Sequence, residues 1–175
     1  MEYSDHIVLE TARLFIKPLS YNQLLKYKEL NNSLEQSLGL NSYTRTLPAE
    51  LQEALEQVIL PQAAESGNNL LYTTLWTIID KEQKLMVGDL CFKGAPNAQG
   101  EIEIGYGTYK DFQGMGFMTE AIGAVAQWVL DQPNVQAILA ETEINNIPSH
   151  KNLSKNNFTV YKEVGNMIWW RLERK

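Results

Sequence analysis

The spacing of apolar positions changes twice along this chain of 175 residues. Residues 11–18 alternate as a strand, with Leu14 and Ile16 on one face and Pro18 closing it. Ser20 stands where a cap is needed for a helix over 21–31, in which Leu24, Leu25, Tyr27 and Lys28 fall at helical spacing. Asn31, Asn32 and Ser33 break that pattern, and 34–47 carries only enough signal for a loop with one helical turn. Pro48, at a first helical position, opens a second helix to about residue 65, with Leu51, Leu55, Val58 and Ile59 as its buried stripe. Ser66, Gly67, Asn68 and Asn69 end it, and residues 1–8 form a loose lead. The period then becomes two: strands over 71–79, 84–93 and 101–109 are joined by a turn at 80–83 and a polar loop at 94–100, giving a meander.

The rest of the chain is organised around residues 110–131, where Gly114 and Gly116 lead directly into a Pro-free helix. Only Glu120, Gln127 and Asp131 make a polar stripe on it, so the helix is mostly buried. Its first turn opens from a glycine loop, where free N–H groups and the helix dipole favour an anion. Strand, glycine turn and buried helix together suggest a phosphate-bearing ligand; the alternative is that the glycines only make a tight turn. Beyond Pro133 and Asn134 the pattern gives a strand over 135–142, a short helix from Ser149 to about 156, and a hairpin of 158–164 and 167–172 around Gly165 and Asn166. The result is a mixed α/β chain forming one domain over residues 1–175, without repeats or linkers.

Composition narrows the function. A formal net charge of −6 argues against a general nucleic-acid binder and suits a cationic substrate better. The one cysteine, Cys91, rules out an internal disulfide and a cysteine-based metal cluster, and its apolar strand suits packing rather than nucleophilic attack. His6 and His150 suit the surface, and nothing in the pattern calls for a metal. No apolar run reaches the roughly 18 residues of a membrane span, and the start of the chain shows no export signal, so a cytoplasmic location is expected. Two phosphate motifs fail on detail. Thr119 stands at the third glycine of a dinucleotide fingerprint, and no Gly-Lys-Ser/Thr run exists for a P-loop.

The order of these elements resembles the GNAT superfamily of acyl-CoA-dependent N-acyltransferases. Gln113-Gly-Met-Gly116-Phe-Met118 fits that family's pyrophosphate loop, with Met118 where the pattern wants Gly or Ala. The branch containing the ribosomal-protein N-terminal alanine acetyltransferases is closer. Residues 11–19, Ile104-Gly-Tyr106, Gly116-Phe-Met-Thr-Glu-Ala121 and Ala140-Glu-Thr142 resemble its opening and middle sections. Asn146-x-x-Ser149-x-Lys151-x-Leu153-x-Lys155-x-Asn157-Phe158 resembles its C-terminal signature, with Asn157 at the usual glycine. Asparagine tolerates left-handed φ, so that departure is mild.

The resemblance implies a central twisted mixed sheet flanked by helices, and an N-acetyltransferase that uses acetyl-CoA without a metal. It implies that the pantetheine arm lies between strands 101–109 and 135–142, with the pyrophosphate on the backbone of Gln113, Gly114, Met115, Gly116, Phe117 and Met118. Thr108, Asn146 and Ser149 complete the expected cofactor contacts, and amides around Tyr106–Thr108 are the expected oxyanion donors. Among the alternating carboxylates Glu101, Glu103, Glu141 and Glu143, Glu103 is the first candidate for the base; a merely solvated strand face is the alternative. Leu153 occupies the place of the tyrosine acid that many relatives use, which leaves Ser149 as the substitute acid or, equally, as a helix cap. Trp169 and Trp170 face opposite ways, one toward the core and the other toward the acceptor cleft or a dimer contact. The leading acceptor is a peptide or protein N-terminal amine, the state monomer or homodimer, with no nucleic-acid or membrane partner. A polyamine or aminoglycoside acceptor, or a CoA-binding module without catalysis, stays open.

Overall fold

In a computed structural model, which describes residues 7–65 and 70–175, the strands form one eight-stranded sheet. They are β1 (Leu9–Glu10), β2 (Leu14–Pro18), β3 (Leu75–Asp80), β4 (Leu85–Phe92), β5 (Glu101–Thr108), β6 (Ala137–Glu143), β7 (Thr159–Val164) and β8 (Met167–Glu173). Their spatial order is β1-β2-β3-β4-β5-β6-β8-β7. All neighbours are antiparallel except β5 and β6, the two joined by the long helix α6 (Phe117–Leu130). A strand-helix-strand crossover forces that parallel pairing.

Each face of the sheet is covered. Helix α6 buries Phe117, Ile122, Val125 and Val129 against Trp76, Leu90, Ile102 and Ile104. Helix α7 (Ile147–Lys155) adds Leu153 to this layer. The opposite face is covered by α1 (Tyr21–Glu29), α2 (Ser33–Ser37), α3 (Ala49–Ala54) and α4 (Leu60–Glu65), while α5 (Leu70–Thr73) turns Leu70 to this layer and Leu71 and Tyr72 to the first. On the opposite face Leu19, Leu24, Leu34, Leu55 and Ile59 pack on Leu75, Ile79 and Met86. Full burial of each such side chain contributes about 1.5–3 kcal/mol, so the two layers dominate stability. Ser20 caps α1 in a reciprocal box with Gln23.

Three elements depart from the expectations, each for a local reason. Residues 70–73 form helix α5 instead of starting a strand; the Trp76 indole donates to the Leu71 carbonyl at 2.9 Å, and tertiary packing overrides the β propensity. Between α3 and α4 the backbone widens into a π turn (Leu55–Ile59), with the Leu60 N–H on the Leu55 carbonyl. Pro61 lacks an N–H and would crowd the carbonyl four residues back in a regular helix, which the wider turn relieves. The apolar stripe therefore runs at intervals of four, Leu55, Ile59 and Ala63, and leaves Val58 47% exposed. The third departure is at α7, which starts at Ile147 rather than Ser149. Its cap is Asn146, whose side chain accepts from the Ser149 N–H, while Pro148 in the first turn loses nothing. Ser149 is thus not the cap. The break expected at 66–69, His6 and most of the loose lead lie outside the described residues.

Asn157 takes φ +63° at the exit of α7, as the sequence suggested. Asn157→Gly is expected to leave thermal stability unchanged or slightly raised. Asn157→Val should lower it by about 1–2 kcal/mol in denaturant melts, because a β-branched residue cannot take left-handed φ without strain. Equal stability of the two variants would contradict this.

Candidate functional site

Strands β5 and β6 pair only from Glu101↔Ala137 to Ile104↔Ala140. Beyond this, residues 105–108 and 141–143 separate, while β5 stays paired to β4 through Gly88↔Thr108 and β6 to β8 through Glu143↔Met167. The Lys93 N–H bonds the Glu103 carbonyl and the Tyr109 N–H bonds the Val87 carbonyl, so the odd residues of β5 direct their backbone groups toward β4. The N–H and C=O groups of Tyr106 and Thr108 therefore face the gap. Close approach of β4 here requires Gly88, since a β-carbon would lie 2.6 Å from the Gly107 carbonyl oxygen.

The glycine loop stands at the end of the same strand. After a 3-10 turn (Lys110–Phe112), Gly114 and Gly116 take φ +76° and +79°, and Gly116 opens α6 with no side chain among the described residues capping it. Residues 113–116 are exposed, whereas Phe112, Phe117 and Met118 are buried and anchor the loop on both sides. An uncapped first turn beneath an exposed glycine backbone fits an anionic group such as a pyrophosphate. The Gln113 amide reaches back to the Thr108 carbonyl at 3.4 Å, linking the loop to the gap. Sequence reasoning missed Arg13, whose guanidinium donates to the Met115 carbonyl at 2.9 Å and pairs with Glu120 at 2.7 Å. It lay in a segment legible only as a strand.

Across the gap, the Tyr106 hydroxyl comes within 3.5 Å of the Ser149 carbonyl, and burial pushes the phenol up to about 12, so it stays protonated. At the start of α7 Asn146 is exposed and Ser149 half-buried, and Leu153 is fully buried. His150 is not a free surface residue; its ring bonds the Glu143 carbonyl at 2.9 Å and packs on Trp170. Trp170 is 6% exposed and donates to Thr142, whereas Trp169 is half-buried on the other face.

The carboxylates divide. Glu101 pairs with Arg171 at 2.5 Å and is held below the usual carboxylate range by that guanidinium and by Asn97. Glu103 pairs with Lys93 at 2.5 Å. Glu141, on the same sheet face beyond the last β5–β6 pair, has no side-chain hydrogen bond or ion pair among the described residues. Glu103 and Ser149 do not meet: alternation along β5 puts the Glu103 side chain on the face opposite Tyr106, which reaches Ser149. The gap between the strands joins the two sides.

On the Glu103 face, a buried polar cluster lies under α1 and α2. Asp89 Oδ2 accepts from Tyr27 at 2.5 Å and from Tyr109 at 2.8 Å. Arg45 pairs with Glu35 at 2.9 Å, donates to the Tyr27 carbonyl and lies 4.2 Å over the Tyr27 ring. Asp89 Oδ1, Glu35 Oε2 and Thr77 Oγ1 are buried with no hydrogen-bond partner among the described residues. Burial pushes the Asp89 carboxyl up to about 6 against the two phenol hydrogen bonds. Beside it, Gly107 has open space where a side chain would stand. Burial likewise pushes the Cys91 thiol up to about 11, which suits packing and not a nucleophilic thiolate.

The chain and its fold are similar to known acetyltransferases. Residues 13–159 match the acetyltransferase (GNAT) domain family. The uncharacterized N-acetyltransferase YjdG of Bacillus subtilis (strain 168) is 25% identical over 167 residues, 94% of this chain and 96% of that one. Among solved structures, the ribosomal-protein-S5-alanine acetyltransferase from Vibrio fischeri superposes with a TM-score of 0.71 at 16% identity, covering 96% of this chain and 97% of that one. RimL, a ribosomal L7/L12 α-N-protein acetyltransferase in complex with coenzyme A, gives 0.66 at 17% identity, covering 95% and 98%. At such identities the structural likeness concerns the fold.

The Asp89 cluster generates a pH test. The folded carboxyl titrates near 6 and the unfolded one near 3.8, so the unfolded chain loses its proton first as pH rises. This group's contribution to stability therefore falls between about pH 4 and 6, by up to about 3 kcal/mol. Asp89→Asn keeps the acceptor for the phenols and replaces the unpartnered oxygen with a donor. In urea melts its stability relative to wild type should rise from pH 4.5 to pH 7; a difference independent of pH would contradict the buried ionisation.

Proposed function

Because the chain belongs to the GNAT acetyltransferase family, we propose that it moves the acetyl group of acetyl-CoA to the N-terminal amine of a peptide or protein. The observation that carries this reading is the juxtaposition of the 113–118 loop with the unpaired ends of β5 and β6. The loop amides receive the pyrophosphate, and the inward-facing backbone of Tyr106 and Thr108 binds the extended arm and polarises the thioester carbonyl. When bound, acetyl-CoA supplies the activated acyl carbon. The neutral amine forms the C–N bond as the C–S bond breaks, and the thiolate takes a proton. Much of the rate comes from holding both reactants in the gap.

Glu103 is the candidate to remove the amine proton, from its place two residues before Gly105. Its ion pair with Lys93 makes Glu141 the competing candidate, since that carboxylate is not tied to a cation. Ser149 and the protonated Tyr106 phenol stand at the thiol side of the gap as proton donors. An N-terminal amine, with a pKa of about 8, needs less help to deprotonate than a lysine or polyamine amine near ~10.4. A site offering only carboxylates as bases suits the easier amine. A polyamine or aminoglycoside is the in-class alternative. Leu153 at the place of the usual acid favours the second reading, a CoA-binding module without turnover.

An acetyl-transfer screen of N-terminal peptides against polyamines and aminoglycosides, read by free thiol release, separates the three. Peptides should be acetylated; thioester held without thiol release would leave only the binding module. Gly116→Asp adds a carboxylate at the anion site in a residue type that tolerates left-handed φ, so CoA affinity should fall at least about tenfold in a folded protein. Calorimetry showing unchanged affinity would refute the loop assignment. Glu103→Gln should lower kcat by roughly 10²–10⁴-fold with CoA affinity nearly unchanged. A loss below about threefold would return Glu103 to a partner of Lys93 and transfer the role to Glu141, tested by Glu141→Gln.

A further inference from the structure

Arg13 lies just before β2, more than a hundred residues from the glycine loop in sequence, yet it is tied to it by several contacts. Its Nη1 donates to the Met115 carbonyl at 2.9 Å, its Nε pairs with Glu120 at 2.7 Å, and its guanidinium lies 4.7 Å over the Phe117 ring. A β-carbon on Gly116 would be 3.3 Å from Nη2. Glu120 is itself fixed from the same segment: Oε1 accepts from the Thr11 hydroxyl at 2.6 Å and from the Arg13 N–H at 2.9 Å. Burial alone would raise the Glu120 carboxyl, but these donors outweigh it and hold it ionised.

The peptide joining Met115 to Gly116 is planar and trans, so its C=O and N–H point in opposite directions. A carbonyl drawn toward Arg13 turns the Gly116 N–H to the other side of the loop, away from the arginine. Glycine at +79° has no intrinsic preference strong enough to fix that orientation. Among the described residues no side chain caps the first turn of α6 to orient it instead. We infer that Arg13 is a positioning residue for the cofactor loop: through the Met115 carbonyl and Glu120 it presets the Gly116 amide toward an anionic phosphate group. The inference rests on the CoA reading of the loop. Arginine is required because one planar fork meets the carbonyl and the carboxylate together, which a lysine ammonium does not reproduce.

The test compares acetyl-CoA with acetyl-pantetheine, which keeps the thioester but lacks the pyrophosphate. For Arg13→Ala, the loss of kcat/KM with acetyl-CoA should exceed the loss with acetyl-pantetheine by at least about tenfold, and calorimetric CoA affinity should fall by a similar factor. Arg13→Lys should recover only a small part. A merely structural arginine predicts equal losses with both thioesters, and that outcome overturns the inference, as does unchanged CoA affinity. Glu120→Gln keeps Arg13 and weakens its anchor; it should show the same split in smaller measure, and it carries the test if Arg13→Ala does not fold. Wild-type protein without CoA affinity would overturn the CoA reading itself, whereas wild-type affinity with no split in either variant overturns the Arg13 inference alone.

Discussion

Everything at the site depends on where backbone hydrogen bonding between two strands stops. Strands β5 and β6 share a register for four residue pairs and then diverge, although each remains held by its other neighbour. Unpaired amides inside a protein are costly, so a sheet opens only where something else takes its bonds. The Thr108 carbonyl takes the Gln113 amide, while the Tyr106 groups, on a half-buried stretch of strand, have no ladder partner on the β6 side. The helix that connects the two strands begins at the mouth of the opening, which brings an anion-attracting terminus to the same place.

The gap also divides labour between the faces of the sheet. Tyr106, Ser149 and the capped start of α7 lie on one side, and Glu103, Lys93 and the open space beside Gly107 lie on the other. On the proposed reading, an acyl donor and an amine acceptor arriving from opposite faces would meet without competing for volume. The buried Asp89 cluster ties this second face together, since its phenols come from α1 and from the residue after β5. Its partnerless oxygens are suited to ordered water, the usual companion of buried polar atoms.

How much of this was legible in the sequence follows from how local each cause is. The strand over 101–109, the loop glycines, the buried helix and the left-handed Asn157 rest on residues close in the chain, and their patterns carried them. The GNAT-type mixed sheet followed from the order of such pieces. By contrast, Arg13 acts on Met115 and Glu120, Glu35 pairs with Arg45 beneath Tyr27, and His150 packs on Trp170. No spacing rule encodes those meetings. The π turn was readable in principle from Pro61, whose missing N–H inside an apparent helix demands a local remedy. The start of α7 was misjudged because Asn146 and Ser149 are both good caps, and only the observed bond separates them.

Strands β2 and β3 are adjacent, with Leu14 opposite Asp80 and Pro18 opposite Trp76, although helices α1 to α5 intervene in the chain. The cover on the Glu103 face is therefore one excursion that leaves and rejoins the sheet at neighbouring positions. Closing such an excursion costs entropy only logarithmically in its length, about 0.6 kcal/mol for each doubling. Evolution can lengthen, shorten or rewrite this cover at little cost to the sheet or to the glycine loop. On the proposed reading, a scaffold so wired would keep one acyl donor while its choice of acceptor drifts.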